Sequence, residues 1–272
     1  MAISSRSALA SRPRSRTSSS SAWPVAGARR RSCFPVAAAS ATAKDPFAAL
    51  ESVAVLRATD GASTPLRDTW DAPGGERALL VLARSFGCPF CQATARELAR
   101  DVLPALNKSG VRLSFVGIGT AERARDFAAR TQLPLASLYA DPTNAAYDAL
   151  NLESSLAAAF LSPQTPLAIA RRAARGGGDW KDLRAMLDGW KPWQPPQGVR
   201  QALNQGGAYL FDGTTCVWSH RDPATAAHAE PSEMMERALA LVAARQGKGG
   251  DCGCDGGEGA AATAAAPSSS GV

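Results

Sequence analysis

Residues 78 to 83 read ALLVLA, six apolar residues in succession that stand shortly before two cysteines. An alternating pattern would leave one face of a strand in water. An uninterrupted apolar run of this length is instead typical of a central strand that is covered on both faces. A chain with such a strand must build helices or further strands on each side of it. The run therefore predicts a sheet in the interior, with SFGCPFCQ at 85–92 following the end of its middle strand.

Helices and strands alternate after the cysteines. The stretch CQATARELARDVLPAL at 91–106 repeats its apolar residues at helical spacing, and Pro104 is expected to end or bend that helix. VRLSFVGIGT at 111–120 predicts a second strand, AERARDFAARTQL at 121–133 a helix capped by Thr120, and 136–140 a third strand. This order implies a parallel sheet with right-handed crossovers.

Two hairpins and a last helix flank these elements. The segment 52–70 has β-prone stretches around Asp60 and Gly61, and GGAYLFDGTTCVWSH at 206–220 has them around an Asp-Gly turn. Short helices are expected at 145–151 and 180–187, and PSEMMERALALVAAR at 231–245 predicts an amphipathic helix. The whole order predicts an α/β thioredoxin-like fold, a central mixed sheet flanked by helices with an N-terminal β-hairpin extension.

The two ends of the chain differ in composition from the part between them. Residues 1–43 hold seven arginines, clustered serines and no acidic residue, which is the composition of a disordered transit peptide. VAAAS at 36–40 resembles a chloroplast processing site, so we predict the plastid stroma, with the mitochondrion as the alternative. Residues 247–272 are small and polar and predict a flexible tail. The thioredoxin-like domain is then 45–246.

Charge divides along the same boundary. The chain has 30 basic and 24 acidic residues, but residues 1–44 hold eight of the basic ones and none of the acidic ones, which leaves 22 basic and 24 acidic residues. The predicted mature protein is slightly acidic, so its charge gives no reason to expect nucleic acid as a partner. No apolar stretch approaches the roughly 18 residues that span a bilayer, and we expect no membrane insertion.

Cys88 stands where the buried strand leads into a helix, and this position changes the chemistry of a thiol. Unpaired amides and the helix dipole stabilise an anion at a helix N-terminus, so the pKa of a cysteine there falls from about 8.5 toward neutrality or below. Cys91 lies one helical turn further on, within reach of a disulfide bond. Pro89 stiffens the loop without losing a hydrogen bond. Arg84 would add positive potential if it faced the thiol, but at a strand end we expect it to be mainly solvated.

These positions favour a redox dithiol. Half of a metal site and a pair of inert buried thiols are the alternatives. In the redox interpretation the more exposed Cys88 attacks and the deeper Cys91 resolves the mixed disulfide.

The chain also resembles a known family. ALLVLARSFGCPFCQATARELA at 78–99 and NQGGAYLFDGTTCVWSHRDPATAAHAEPSEMMERAL at 204–239 are similar to segments of the AhpC/TSA antioxidant-enzyme-like proteins, also called the peroxiredoxin-like 2 family, of the thioredoxin-like superfamily. The resemblance implies a thioredoxin-like fold and a thiol-dependent antioxidant or reductase activity. It also implies that Cys88 and Cys91 are the functional positions.

Two departures from typical peroxiredoxins bear on the activity. Ser85 fits the Thr/Ser place of their Pro-x-x-x-Thr/Ser-x-x-Cys motif, but Val81 stands in place of the proline, and their late arginine aligns with Gly206. Loss of that arginine removes a cationic partner of the peroxide, whereas disulfide exchange needs only a thiolate and its resolving partner. We therefore predict a thiol-disulfide oxidoreductase or weak thiol peroxidase. Its substrate would be a disulfide or peroxide, and its reductant an external dithiol of the thioredoxin, glutaredoxin or glutathione type.

Other functions remain open for the dithiol and the tail. A non-catalytic redox sensor or binding module would consume about one equivalent of oxidant instead of turning over. Cys252 and Cys254 form a Cys-Gly-Cys that is either incidental or an auxiliary dithiol on a flexible tether. A third interpretation joins them with Cys88 and Cys91 around zinc or an iron–sulfur cluster.

The remaining candidate residues carry weaker signals. GIGTAE at 117–122 lacks the third glycine of a dinucleotide loop, and we predict neither a cofactor nor a metal ion. Cys216 is expected to be a small buried thiol. For His220 and His228 we expect hydrogen-bonding roles at a strand end or in a loop, with assistance in proton transfer as the alternative.

Overall fold

The computed structural model describes residues 45–155, 162–174, 184, 187, 188, 201 and 203–248. All of these belong to one compact unit. The predicted transit segment, most of the predicted helix at 180–187 and the tail beyond Lys248 lie outside the described residues.

The strands of the described residues form one sheet. They are β1 (Ala54–Arg57), β2 (Ser63–Pro65), β3 (Arg77–Ala83), β4 (Val111–Ile118), β5 (Leu138–Asp141), β6 (Gly207–Asp212) and β7 (Thr215–Arg221). Their order across the sheet is β2-β1-β5-β4-β3-β6-β7. β3, β4 and β5 are parallel, β6 is antiparallel to β3, and β7 is antiparallel to β6. This is the predicted mixed sheet of a thioredoxin-like fold, with the hairpin β1–β2 joined antiparallel to β5.

α-Helices with defined bounds also occur among the described residues. They are α1 (Pro46–Ala49), α2 (Pro89–Glu97), α3 (Leu103–Lys108), α4 (Ala121–Thr131), α5 (Ala145–Ala149), α6 (Gln164–Ala174) and α7 (Pro231–Lys248). Thr120 caps α4 as predicted, since its hydroxyl accepts a hydrogen bond from the amide of Arg123 at 3.3 Å. The sequence did not predict α6.

Of the two effects that the sequence predicts for Pro104, an end to the helical path is wrong, and a bend stays a prediction. A π-helical segment at Leu98–Val102 follows α2, and α3 continues the helical path through Pro104. The wider π turn directly before the proline accommodates a ring and a residue that has no N–H.

The two faces of β3 explain why its sequence does not alternate. Leu79 and Val81 pack in a cluster with residues of α2, α3, α4 and α7. Leu80 and Leu82 pack in a second cluster with Trp70 and other side chains. Each buried leucine contributes about 1.5–3 kcal/mol of transfer free energy. Burial on both faces of the strand therefore stabilises the packing of the sheet against the layers that cover it.

Strand register brings three distant segments to one edge of the sheet. Leu82 near the end of β3 pairs with Gly207 at the start of β6, and Gly207 pairs with Arg221 at the end of β7. The residues after β3, before β6 and after β7 are therefore neighbours. This is the edge at which the parallel strands end, where open α/β sheets commonly place their functional groups.

Candidate active site

Cys88 is the residue that caps the N-terminus of α2, and Pro89 is the first residue of that helix. The backbone of Cys88 is extended, with φ −74° and ψ 120°. Its carbonyl accepts from the amide of Gln92 at 3.0 Å, and its amide donates to the carbonyl of Ser85 at 3.1 Å. The side chain is half-buried. The thiol thus lies beside the first-turn amides of α2, as the sequence predicted.

Two side chains anchor the loop that presents Cys88. The ring of Phe86 lies where glycines leave space: a Cβ built on Gly117 would come within 2.4 Å of that ring. The side-chain amide of Gln92 donates to the carbonyl of Phe86 at 2.8 Å. The GIGTAE segment is therefore explained by packing, because Gly117 makes room for an aromatic ring.

The surroundings of Cys88 stabilise its thiolate. Its pKa is lowered from 9.0 to about 5, first by the hydrogen bond from the Cys91 thiol. The positive charge of Arg84, the interaction with the imidazole of His228 and the backbone amide of Cys91 lower it further, while burial opposes the shift. Arg84 is not mainly solvated as expected, since it is half-buried and its Nε donates to the carbonyl of Asn204 at 3.2 Å.

Cys91 is the opposite case, although it lies only three positions away. It is 1% exposed, and its pKa is raised well above 9.0 by burial and by its hydrogen bond and charge interaction with Cys88. Both cysteines are unbridged in this structure. The pair therefore consists of an ionised, reachable sulfur and a protonated, enclosed one.

A histidine and an aspartate from the end of the fold complete the site. Nε2 of His228 lies 3.6 Å from the Cys91 sulfur, and Nδ1 of the same ring lies 2.5 Å from Oδ2 of Asp222. Asp222 is 2% exposed. Both residues line a small cavity of about 10 Å³ together with Cys91 and Met234, about the space of one water molecule.

The chain before β6 fits against β3 without space for a side chain. A Cβ on Gly206 would lie 2.2 Å from the carbonyl oxygen of Leu82 and 2.8 Å from Oδ2 of Asp222. The Gly206 carbonyl accepts from the amide of Asp222 at 3.0 Å. On the other face of the sheet, the hydroxyl of Tyr147 donates to the carbonyl of Ala83 and so holds the end of β3.

The structure brings together five of the residues that the sequence singled out: Arg84, Ser85, Cys88, Pro89 and Cys91. Cys216 lies apart, half-buried in β7 against the second cluster, and burial raises its pKa to about 11. Cys252 and Cys254 lie outside the described residues.

The sequence offered His228 only as an alternative helper in proton transfer, and it did not predict Asp222 as part of the site. His228 is 137 residues from Cys91, and only the fold brings the two together. The one available signal was the His-Arg-Asp at 220–222 within the family-like segment, to which no role was assigned. His220 instead turns its Nε2 to the carbonyl of Ala227 at 3.1 Å. Among the residues the structure describes, no group of three or more His, Cys, Asp or Glu is arranged to hold a metal ion.

The sheet order and the placement of the dithiol after β3 define a protein of the thioredoxin-like class. A profile of the family described as AhpC/TSA antioxidant enzyme matches residues 97–224. This match confirms the resemblance that the sequence predicted. The matched range begins after Cys91, so the dithiol itself lies outside it.

A plant protein supplies a second comparison. The chain is 34% identical over 150 residues to the thioredoxin-like protein AAED1, chloroplastic, of Arabidopsis thaliana. The aligned segment covers 52% of this chain and 56% of the relative. The match therefore spans little more than half the length of that relative.

Solved structures with similar folds are more distant in sequence. The bacterioferritin comigratory protein of Xanthomonas campestris has 13% identity and a TM-score of 0.45, with 76% of this chain and 99% of that one covered. The peroxidoxin BcpB of Mycobacterium tuberculosis has 12% identity and a TM-score of 0.44, with 71% and 92% covered. Among the described helices, none combines the length and the apolar character that crossing a bilayer takes.

Proposed function

We propose that the protein is a thiol-disulfide oxidoreductase with slow thiol peroxidase activity. The Cys88 thiolate attacks a disulfide or peroxide, Cys91 resolves the product to an intramolecular disulfide, and an external dithiol of the thioredoxin, glutaredoxin or glutathione type reduces it. One observation carries the proposal: Cys88 is half-buried at the N-terminus of α2, where its pKa is lowered to about 5, while its partner one turn on is enclosed. At neutral pH the nucleophile is therefore already ionised.

The surroundings of Gly206 support exchange over fast peroxide reduction. Typical peroxiredoxins align an arginine with this position, but here any side chain would collide with the Leu82 carbonyl. Arg84, which follows β3, is the cation that could replace that arginine. It lowers the pKa of Cys88, and its Nε donates a hydrogen bond to the carbonyl of Asn204. The site therefore offers charge to stabilise the thiolate, and this favours attack on disulfides, where only the thiolate and its resolving partner are needed.

Turnover with a thiol donor tests the proposal. Reduction of a protein disulfide such as that of insulin, with excess dithiothreitol, should proceed for many equivalents, and peroxide consumption should be slower. Cys88→Ser should abolish both reactions. Cys216→Ser is the matched control, because that thiol is half-buried on another part of the sheet, and it should retain wild-type rates.

The same experiment separates the enzyme from a redox sensor. A protein that consumes only about one equivalent of oxidant, or a Cys88→Ser variant that keeps full activity, would contradict the proposal.

A plastid location is part of the same proposal. It rests on the composition of residues 1–43, and the chloroplastic name of the Arabidopsis relative supports it. Cys252 and Cys254 are proposed as an auxiliary dithiol that exchanges with the Cys88 pair. Peptide mapping of the oxidised full chain tests this, since a disulfide between the tail and either site cysteine is expected.

A further inference from the structure

His228 lies between a reacting sulfur and a buried carboxylate. Its Nε2 is 3.6 Å from the sulfur of Cys91, and its Nδ1 is 2.5 Å from Oδ2 of Asp222. The imidazole side chain is 8% exposed and the carboxylate 2%. The chain holds a second histidine on the same carboxylate, His220, at 3.5 Å from Oδ1, but that ring faces the Ala227 carbonyl.

The carboxylate decides which nitrogen of His228 is free to take a proton. An ionised carboxylate only accepts hydrogen bonds, so the nitrogen that faces Asp222 is Nδ1–H. In the neutral ring the lone pair is then on Nε2, which faces Cys91. Asp222 is itself held by the bond from its amide to the Gly206 carbonyl, so the ring has a fixed direction.

Cys91 needs such a group in order to react. The thiolate is the nucleophile in disulfide exchange, yet this sulfur is 1% exposed and its pKa is raised well above 9.0 by burial. The neighbouring cavity has room for about one water molecule. Bulk hydroxide therefore has little access to the thiol, and Nε2 of His228 is a base already 3.6 Å from its sulfur.

We propose that His228 is the general base of the resolving step and that Asp222 positions its ring. The proposal deepens the proposed function and rests on it. In the step, the Cys91 S–H proton moves to Nε2 as the Cys91 sulfur attacks the Cys88 sulfur of a mixed disulfide. The Cys88–Cys91 bond forms, the bond from Cys88 to the substrate sulfur breaks, and the electron pair leaves on that substrate thiolate. The imidazolium then returns its proton to the departing thiolate or to water.

The resolving step also balances when the substrate is a peroxide. After Cys88 has been oxidised to a sulfenic acid, the Cys91 sulfur displaces hydroxide, and the proton on His228 converts the hydroxide to water. A Cys-His-Asp arrangement also occurs in acyl-transfer enzymes, but an enclosed Cys91 is closed to an acyl substrate. The electrophile that it reaches is the sulfur of Cys88, one helical turn away.

A two-phase thiol reaction tests the proposal. The full chain with Cys33, Cys216, Cys252 and Cys254 replaced by serine serves as the parent, so that only the site thiols react. The reduced protein is mixed with 5,5′-dithiobis(2-nitrobenzoate) in a stopped-flow instrument. The first equivalent of thionitrobenzoate reports the attack by Cys88, and the second reports the attack by Cys91 on the mixed disulfide.

His228→Gln should slow the second phase by about 100-fold, in the range typical of general base catalysis. The first phase should stay within about threefold of the parent, because the Cys88 thiolate is still formed at pH 7 with its other partners in place. Asp222→Asn should also slow the second phase, since an amide can reverse the tautomer of the ring. The control is Ser219→Ala, at an exposed position of β7, which should leave the second phase within about threefold.

The pH dependence gives a readout that a purely structural role would not change. In His228→Gln the second phase should accelerate about tenfold per unit from pH 7 to 9, because solvent must ionise Cys91; the parent should be less steep. The titratable and charged groups that act on His228 or on its neighbours are the same in both proteins: Cys88 before α2, Cys91 on α2, Arg84 after β3, Tyr147 on α5, and His220 and Asp222 at the end of β7.

The outcomes distinguish the two proposals. Three results would each overturn the role of His228 and leave the dithiol function standing. The second phase could be unchanged in His228→Gln, or both phases could be slowed equally. The second-phase rate of the parent could also depend on pH as steeply as that of the variant. A parent whose first phase is no faster than that of an ordinary thiol would instead contradict the proposed function itself.

Discussion

Cys88 and Cys91 have the same side chain, and their surroundings push them in opposite directions. The first lies beside unpaired amides and positive charge, which favour the anion; the second is enclosed, and burial favours its neutral form. The shared hydrogen bond adds to both shifts because it leaves one proton between two sulfurs. Pairs of neighbouring groups whose pKa values are shifted in opposite directions are typical of active sites.

Titration of the thiolate absorbance near 240 nm tests the assignment of Cys88. In the reduced protein one thiol should ionise with a midpoint of about 5, and Cys88→Ser should remove this step. Arg84→Gln should move the midpoint upward because a positive charge is lost, whereas Arg84→Lys, which keeps the charge, should move it less. A first step near 8.5, the ordinary value for cysteine, would show that the assignment is wrong.

The sign of the linked stability follows from the same pKa. The pKa of Cys88 is lower in the folded state, about 5, than in the unfolded state, 9.0. Its ionisation therefore stabilises the folded state fully at pH values above 9.0, and this contribution is lost as the pH falls to about 5. The stability advantage of the reduced wild type over Cys88→Ser should therefore grow between pH 5 and pH 9.

At the scale of elements, the site depends on how three strand ends meet. α2 begins directly after β3, and the antiparallel pairing of β6 and β7 returns Asp222 to that edge. Gly206 allows the approach, because its backbone lies against the Leu82 carbonyl where a Cβ would be 2.2 Å away. The same glycine accepts the amide hydrogen of Asp222, so the position of the carboxylate depends on this contact.

Gly206→Ala tests that contact. The added methyl group must displace the chain before β6 from β3, which should reduce the free energy of unfolding by about 1–3 kcal/mol. It should also slow thiol exchange, since Asp222 moves with its backbone partner. Urea denaturation and an insulin reduction assay measure the two effects. Ser219→Ala, at an exposed position of β7, is the control and should change stability by less than about 0.5 kcal/mol; an equally small effect of Gly206→Ala would contradict the close approach.

At the scale of the whole molecule, the sheet lies between two apolar layers, and the reactive residues lie at the edge where its parallel strands end. One cluster of buried residues contains Cys91 and Met234, and the other contains Tyr147 and Trp70. Because both faces are covered, the dithiol is held on a rigid frame and the charge on Cys88 is matched by fixed groups. Folding and thiolate formation are therefore linked in the reduced protein.

This linkage predicts a dithiol that is less reducing than thioredoxin. Stabilising the thiolate stabilises the reduced form, so the potential at pH 7 should be more positive than about −270 mV. Equilibration with glutathione buffers measures it. Thermal unfolding should also give a higher midpoint for the reduced than for the oxidised protein, with Cys88→Ser insensitive to the redox state. A potential more negative than that of thioredoxin would contradict the linkage.

Local patterns were enough to predict much of this fold. The run at 78–83, the Asp-Gly turns of both hairpins and the Thr120 cap are local signals, and each appears in the structure as β3, β1–β2, β6–β7 and α4. Pro104 does not end the helical path, because the local rule against proline in helices does not include the relief offered by a π turn before it. Arg84 misled because its partner, the Asn204 carbonyl, is 120 residues away.

The amino-acid sequence by itself determined the central strand, the helix that starts after Cys88, and the spacing of the two thiols, because these depend on periodicity and on residues within one turn of each other. The tertiary structure alone decided that Cys91 faces His228, that Asp222 orients that ring, and that Arg84 acts on Cys88. These contacts join residues far apart in the chain, and their strength depends on burial, which exists only after the sheet has been covered on both faces.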